Sequence, residues 1–229
     1  MRKNEKMTLC FGIVFIVLFA VWTLLVKIID VQPVGLNGTD IGFAALNLWF
    51  HRLTGVHMML YHITDWLGFV PLFVCMMFGV VGTLQLLGRK SIVKVDRDIL
   101  FLGIYYAVVI IAYLVFEMIP INYRPILIDG YMEASYPSST TLLVLSVMPT
   151  LEFQADRRLK NTVLRKTVRA AAAVFSVFMV AGRLLSGVHW FTDIVGSVML
   201  SEGLFRIYKS VVIIFCSEEK NRRLDNGIQ

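Results

Sequence analysis

Cysteines are few in this chain of 229 residues, and no internal repeat or low-complexity tract is visible. The three that occur, Cys10, Cys75 and Cys216, lie in or beside apolar stretches and lack the spacing of a metal site. They predict neither a disulfide framework nor a metal centre. The apolar run at residues 9–29 also lacks a clear small-residue cleavage site, so we expect an uncleaved first membrane span rather than a signal peptide.

Apolar residues make up 57% of the chain, whereas soluble domains rarely exceed about half. They are gathered in blocks, and a transmembrane helix needs roughly 20 apolar residues. The blocks predict an all-α fold, a bundle of six transmembrane helices within a single integral membrane domain over residues 1–229. The expected spans are about 8–29, 66–88, 98–119, 137–153, 167–186 and 190–208, followed by a cytoplasmic tail at about 209–229.

Basic residues predict the orientation of these spans, because cytoplasmic loops are enriched in Lys and Arg. Three precede the first span and four lie between spans two and three. Six lie between spans four and five or in the first residues of span five, and five lie in the last residues of span six or after it, so 18 of the 22 fall on one side. We therefore expect a multi-pass protein of the plasma membrane with both termini in the cytoplasm. This topology accounts for the net charge of +6, and no nucleic-acid partner is expected.

The longest outer segment, at about residues 30–65, contains a stretch typical of an amphipathic helix. Residues 41–50 predict a helix that lies in the membrane interface. Trp49 and Trp66 are expected at headgroup depth, where aromatic residues are enriched.

Ionisable and hydroxyl side chains recur at the outer ends of the predicted spans, where unpaired charges are costly unless they are functional. His189 and Asp193 are four residues apart and share a helix face, so the carboxylate can orient the imidazole and leave its second nitrogen free as nucleophile or base. Arg124 and Arg183 supply planar guanidinium groups suited to phosphate oxygens. The helix that begins near Ser138 adds free N–H groups and a positive dipole end. Together they predict an outward-facing phosphoryl-transfer site.

The order Arg124-Pro125, Pro137-Ser138 and Arg183-x5-His189-x3-Asp193 resembles the type-2 phosphatidic acid phosphatase family, which is related to the vanadium haloperoxidases. The family motifs read K-x6-R-P, P-S-G-H and S-R-x5-H-x3-D, and the third is the specific part of the match. The resemblance covers about residues 66–208 and implies a membrane-embedded phosphatase core.

The resemblance also implies roles for the matching positions. His189 would attack phosphorus and form a phosphohistidine, and Asp193 would orient it. Arg124, Arg183 and Ser138, with Ser139 beside it, would bind the phosphate oxygens. The arginines supply the positive charge, so neither a metal nor a cofactor is expected.

Four positions depart from the family pattern: Glu117 replaces the Lys of the first motif, Ser139 the Gly and Thr140 the His of the second, and Gly182 the Ser of the third. A threonine hydroxyl cannot donate the proton that the family's His gives to the leaving oxygen, and loss of a general acid typically costs about 10²–10⁴ in rate. Glu117 is either an interfacial carboxylate paired with Arg124 or Arg183, or a proton donor whose pKa is raised by burial. His62 is a further possible donor.

These residues favour an integral membrane phosphohydrolase that removes phosphate from a lipid or isoprenoid phosphate or diphosphate at the outer face. Two alternatives stay open. One is a catalytically impaired lipid-phosphate-binding protein, and the other is a lipid phosphotransferase or transporter on the same scaffold. The only expected partners are the bilayer and this lipid substrate, and the sequence does not indicate an oligomeric state. The compact outward-facing form suits a bacterial plasma membrane.

Overall fold

The computed structural model describes residues 3–225, with side-chain surroundings described for residues 5–216. No strand occurs within residues 3–225, which contain only isolated β-bridges, so the all-α prediction is confirmed. The helices are α1 (Lys3–Ile28), α2 (Ala44–Thr54), α3 (Met58–Leu67), α4 (Phe69–Arg89), α5 (Arg97–Met118), α6 (Ser139–Arg158), α7 (Thr162–Leu185) and α8 (Phe191–Asp225).

Each of the six predicted spans falls on a long helix, and the second begins in α3 and continues through α4. Four stretches are long and apolar enough to cross a membrane by length and composition: Glu5–Ile28, Met58–Arg89, Arg97–Met118 and Thr162–Leu185. Helices α6 and α8 do not reach that apolar threshold. The count of six membrane spans therefore stays a prediction.

Helices α6 and α8 can be more polar than the other long helices, because much of their surface is enclosed by those helices and does not face lipid. Buried hydroxyl and amide groups on α6 find partners on its neighbours. The hydroxyl of Thr150 shares a 2.7 Å hydrogen bond with the hydroxyl of Tyr106 on α5, and Gln154 donates to the hydroxyl of Tyr208 on α8 at 3.0 Å. A helix whose polar groups are satisfied inside a bundle does not need an apolar surface on every side.

Helix α2 includes most of the stretch predicted as an interfacial helix, and its position in the interface stays a prediction. Asn47 fixes α2 to the start of α8, since its amide nitrogen donates to Thr192 Oγ1 at 3.0 Å and its oxygen accepts from the Thr192 amide at 3.2 Å. Trp22 of α1 donates to the Thr192 carbonyl at 3.1 Å. These bonds position the first turn of α8.

The predicted boundary between the sixth span and the tail, at residue 209, does not coincide with a helix end. Helix α8 continues without a break through Asp225. The last four residues of the predicted tail, 226–229, lie outside the described residues.

Candidate active site

The predicted site residues come from separate segments that meet at one end of the bundle. Arg124 lies in the loop between α5 and α6, Ser138 precedes the first residue of α6, and Arg183 lies in the last turn of α7. His189 and Asp193 flank the start of α8. All five are buried, with exposed fractions of 6% or less.

His189 and Asp193 lie close together, as their spacing predicts. His189 Nδ1 is 3.7 Å from Asp193 Oδ2, which is ion-pair range and longer than a hydrogen bond. The same carboxylate oxygen accepts from the Trp190 amide at 2.9 Å. The Ser138 amide donates to the Asp193 carbonyl at 3.3 Å, so the start of α6 is joined to the start of α8.

The side chain of Arg183 is 1% exposed and is held by two neighbours. Its Nη2 donates to Thr140 Oγ1 at 2.6 Å and to Asp65 Oδ1 at 3.3 Å. Its Nε and Nη1 have no hydrogen-bond partner among the described residues. Two buried donors of a charged group therefore stay available to an anion.

Arg124 is held by Glu133 in the same loop. Arg124 Nε lies 3.1 Å from Glu133 Oε2, and the Arg124 amide donates to the Glu133 carbonyl at 3.0 Å. Within the described part of the chain, Arg124 Nη1 has no hydrogen-bond partner. The ring of Tyr61 lies near both guanidinium groups, 5.0 Å from that of Arg183 and 5.8 Å from that of Arg124, which is cation–π range.

A cavity of about 670 Å³ is lined by both arginines. Its polar lining also includes Glu117, Ser139 and Thr140. Its apolar lining comes from α4, α5 and α6, namely Phe69, Leu72, Val109, Ile110, Leu142 and Leu143. His189 and Ser138 are buried and do not contribute to the lining.

His189 lies in the short connection between α7 and α8, in a buried and positively charged environment. Burial lowers the pKa of His189 well below its ordinary value, and the charges of Arg124 and Arg183 lower it further. The imidazole is therefore neutral at neutral pH, which is the form that acts as a nucleophile.

Residues 119–213, which carry all five of these buried residues, match the PAP2 superfamily. Over this stretch the chain is similar to that superfamily. Its structure is also similar to the crystal structure of a transmembrane PAP2-type phosphatidylglycerolphosphate phosphatase from Bacillus subtilis, with 17% sequence identity and a TM-score of 0.61 over 87% of this chain and 94% of that chain. No curated protein matches the chain with significance. The apolar helices support a multi-pass membrane protein, and its fold is shared with that solved structure.

Two of the four departures from the PAP2 motifs have local counterparts in the structure. Thr140, at the position of the second-motif His, accepts the hydrogen bond from Arg183. A Cβ added to Gly182, at the position of the third-motif Ser, would lie 2.5 Å from Thr64 Cγ2. The methyl group of Thr64 thus occupies the space that a serine side chain at residue 182 requires.

Glu117 is not paired with Arg124 or Arg183 among the described residues, and its alternative role as a proton donor stays a prediction. It is exposed, lines the cavity and makes no ion pair among the described residues. The carboxylates that pair with the two arginines are Asp65 and Glu133, which sequence reasoning missed. Neither carried a motif or spacing that would have identified it.

His62 does not join this cavity. Its side chain is exposed and lines a separate apolar pocket with Met59, Ile63, Trp66 and Leu67. Tyr61 and Asp65, four residues apart on α3, line the cavity, whereas His62 is turned from Tyr61 by about 100° on an ideal helix.

The connection that carries His189 depends on a glycine. Gly187 has φ of +71°, and a Cβ there would lie 2.0 Å from the carbonyl oxygen of Gly55. The adjacent Ser186 carbonyl accepts from the His57 amide at 2.9 Å. The connection therefore packs backbone against backbone on the segment between α2 and α3.

Among the residues whose surroundings are described, no group of three or more His, Cys, Asp or Glu side chains is placed to hold a metal ion.

Proposed function

We propose that this protein is a lipid phosphatase of the plasma membrane, which removes phosphate from a lipid or isoprenoid phosphate or diphosphate. The observation that carries the proposal is the pair of buried arginines, Arg124 and Arg183, each with guanidinium donors that have no partner among the described residues. Phosphate and carboxylate oxygens are the ligands that match such planar donors, and a phosphate has enough oxygens to bind both arginines. The neutral His189 lies close enough for both arginine charges to act on its pKa.

The residues take the following roles. Arg124 and Arg183 bind the phosphoryl oxygens, with Ser138, Ser139 and the start of α6 beside them. His189 attacks phosphorus, the bond from phosphorus to the leaving oxygen breaks, and a phosphohistidine forms. Asp193 orients the imidazole. Water then attacks the phosphohistidine, which releases phosphate and restores His189.

The apolar lining supports a lipid as the substrate. Leu72, Val109 and Leu143 lie in the same cavity as the arginines, so a hydrocarbon chain and a phosphate group fit one continuous space. This combination of apolar walls and a few polar groups is typical of ligand sites.

Six membrane spans with the site at the outer face complete the proposal, with α6 and α8 as the two spans enclosed by the others. The basic residues support this orientation, because they gather at the helix ends opposite the site. Arg89 is 2.8 Å from Asp96 and Arg158 is 2.8 Å from Asp98, where α4 and α6 end and α5 begins. Lys and Arg at that end indicate the cytoplasmic side. We also propose a single membrane domain, with the phosphatase core at about 66–208.

Phosphate release from a panel of lipid phosphates and isoprenyl diphosphates tests the function, with purified protein in nanodiscs. His189→Ala is expected to lower the rate by several orders of magnitude, as loss of a nucleophile does. An acid-labile, base-stable phosphoenzyme should accumulate in the wild type and be absent from His189→Ala. Equal release by the two proteins would contradict the proposal.

A second candidate is a PAP2 protein that binds a lipid phosphate without turnover. It is favoured by two observations: His189 does not contribute to the cavity lining, and the Thr140 hydroxyl is engaged by Arg183. This candidate predicts binding that weakens in Arg183→Gln, with phosphate release no higher than in the absence of protein. A transferase or transporter on this scaffold has no observation of its own in its favour.

A further inference from the structure

The cavity that holds the two arginines has more negative than positive side chains. Its charged lining consists of Arg124 and Arg183 on one hand and Asp65, Glu117 and Glu133 on the other. Taken at their ordinary ionisation, these groups give the cavity a formal charge of −1 before any ligand binds. A phosphate dianion without a positive group would meet net repulsion there.

The two signs of charge are arranged at different depths. The arginine side chains are 1% and 8% exposed, whereas the side chains of Glu133 and Asp65 are 38% and 51% exposed. Glu117 is exposed as well. The guanidinium groups therefore form the inner part of the cavity, and the carboxylates form the part nearer its surface.

Both the arginines and the carboxylates of the cavity can still bind a ligand. Arg183, with 1% of its side chain exposed, has Nε and Nη1 without partners among the described residues. Glu117 makes no ion pair within the same part of the chain, and it lines the cavity together with Glu133. Arg124 and Arg183 thus offer donors for an anion, and Glu117 with Glu133 offers acceptors for a cation.

We propose that the cavity selects a zwitterionic lipid phosphate, in which the phosphate is carried on an amino alcohol with a free ammonium group. This inference rests on the proposed function and names its substrate class. The phosphate binds Arg124 and Arg183, the ammonium group lies between Glu117 and Glu133, and the hydrocarbon chain follows the apolar lining.

This headgroup also compensates for the missing general acid at residue 140. In a 2-amino alkyl phosphate, two carbon atoms separate the ammonium nitrogen from the ester oxygen, so the N–H reaches that oxygen. When His189 attacks phosphorus and the ester bond breaks, the ammonium group gives its proton to the leaving oxygen. The resulting amine regains a proton from the water that attacks the phosphohistidine. The proton given to the leaving oxygen is thus replaced, and no acidic side chain of the protein is needed.

Binding of a matched pair of probes tests the selectivity separately from turnover. The probes are a long-chain 2-amino alkyl phosphate and its N-acetyl derivative, which differ only in the ammonium charge. We expect His189→Ala protein in nanodiscs to bind the amine about tenfold more tightly, as a charged hydrogen bond in a partly enclosed site provides. Glu117→Gln should reduce this preference without weakening the N-acetyl probe, and Glu117→Lys should reverse it. Glu202→Gln, a remote carboxylate paired with Arg206, is the matched control and should leave the preference intact.

Equal affinity for the two probes overturns the inference, because the carboxylates then only neutralise the arginines. A preference that disappears when EDTA is added also overturns it, because the carboxylates then hold a divalent cation. The wild type provides the second comparison and should hydrolyse the amine probe with a higher kcat than the N-acetyl probe. Release from simple lipid phosphates with no amine preference leaves the proposed function standing and removes the inference. A clear preference for the amine probe in binding, without any phosphate release, leaves the selectivity standing and removes the proposed function.

Discussion

Arg183 Nη2 donates a 2.6 Å hydrogen bond to Thr140 Oγ1, so the residue at the position of the PAP2 second-motif His supports Arg183, which we propose binds phosphate. Arg183 is 1% exposed, and its other contact with that nitrogen, to Asp65, is longer at 3.3 Å. The hydroxyl at residue 140 therefore satisfies a buried charged donor. A role in proton donation is not needed to explain why a hydroxyl residue stands there.

Thr140→Val removes the hydroxyl and keeps the shape of the side chain. We expect a loss of about 1–3 kcal/mol in stability, because a buried charged donor loses its best partner. A lower midpoint of thermal unfolding in detergent measures the effect. Thr140→Ser keeps the hydroxyl and is the control. Equal midpoints for the Val and Ser variants would show that the bond contributes nothing.

Gly182→Ser restores the residue of the PAP2 third motif and is nevertheless expected to destabilise this protein. The added Cβ lies 2.5 Å from Thr64 Cγ2 on α3, and Thr64 is fully buried. Overpacking of this kind costs about 1–3 kcal/mol. Thermal unfolding and yield of folded protein measure it.

A second substitution shows whether the crowding is the cause. Thr64→Ser removes Cγ2 and keeps the hydroxyl that donates to the Leu60 carbonyl at 2.9 Å. The double variant Thr64→Ser/Gly182→Ser should recover most of the stability lost in Gly182→Ser. If the double variant instead loses as much stability as the two single variants together, the collision with Thr64 is not the cause, because side chains in contact are expected to couple.

The sequence predicted the helices well because a membrane span needs a long apolar block, and such blocks are visible without tertiary contacts. The six predicted positions all carry helices, and the all-α fold is confirmed. The start of α7 was placed late, at about 167, whereas the helix begins at Thr162 with Asn161 capping its first amides. Polar residues at a helix start hide it from an apolar pattern.

The site was predictable only where residues are close in the chain or carried by a motif. His189 and Asp193 are four apart and lie close together, although His189 precedes α8 and does not share a helix with Asp193 as the prediction assumed. The ion pair between Arg183 and Asp65 joins residues 118 positions apart, so it depends on how α3 packs against α7. No periodicity in the sequence records that packing, which is why Asp65 was missed and His62, on another side of the same helix, was considered instead.

Gly187→Ala tests how the connection between α7 and α8 places His189. The residue has φ of +71°, and the new Cβ would lie 2.0 Å from the Gly55 carbonyl oxygen, which is backbone and cannot rotate away. We expect loss of folded protein or, in any folded fraction, loss of phosphate release. Left-handed backbone alone costs an L-residue about 1–2 kcal/mol, so the control must carry that cost as well.

Gly130→Ala is that control, because Gly130 has φ of +85° and nothing lies within 4 Å of an added Cβ. It shares the backbone strain and lacks the collision. Gly187→Ala should therefore be clearly less stable than Gly130→Ala when the two are compared by thermal unfolding. Similar losses in the two variants would mean that strain alone accounts for the effect and that the contact with Gly55 is unimportant.

The protonation of His189 provides a test that does not depend on knowing the substrate. Burial lowers its pKa, and the charges of Arg124 and Arg183 add to that effect. Protonation of His189 is therefore disfavoured in the folded protein, so its imidazole stays neutral as the pH falls through the ordinary histidine range near 6.5. An NMR titration of imidazole protons, assigned to His189 by comparison with His189→Ala, should give a midpoint below 6.5. Arg124→Gln removes one positive charge and should move the midpoint upward, toward 6.5, whereas Arg169→Gln, which alters an arginine in the other half of α7, should not. A wild-type midpoint at or above 6.5 would contradict the expected effect of burial and of the two arginines. A midpoint well above 7 would leave the imidazole mostly charged at neutral pH and would count against a nucleophilic role.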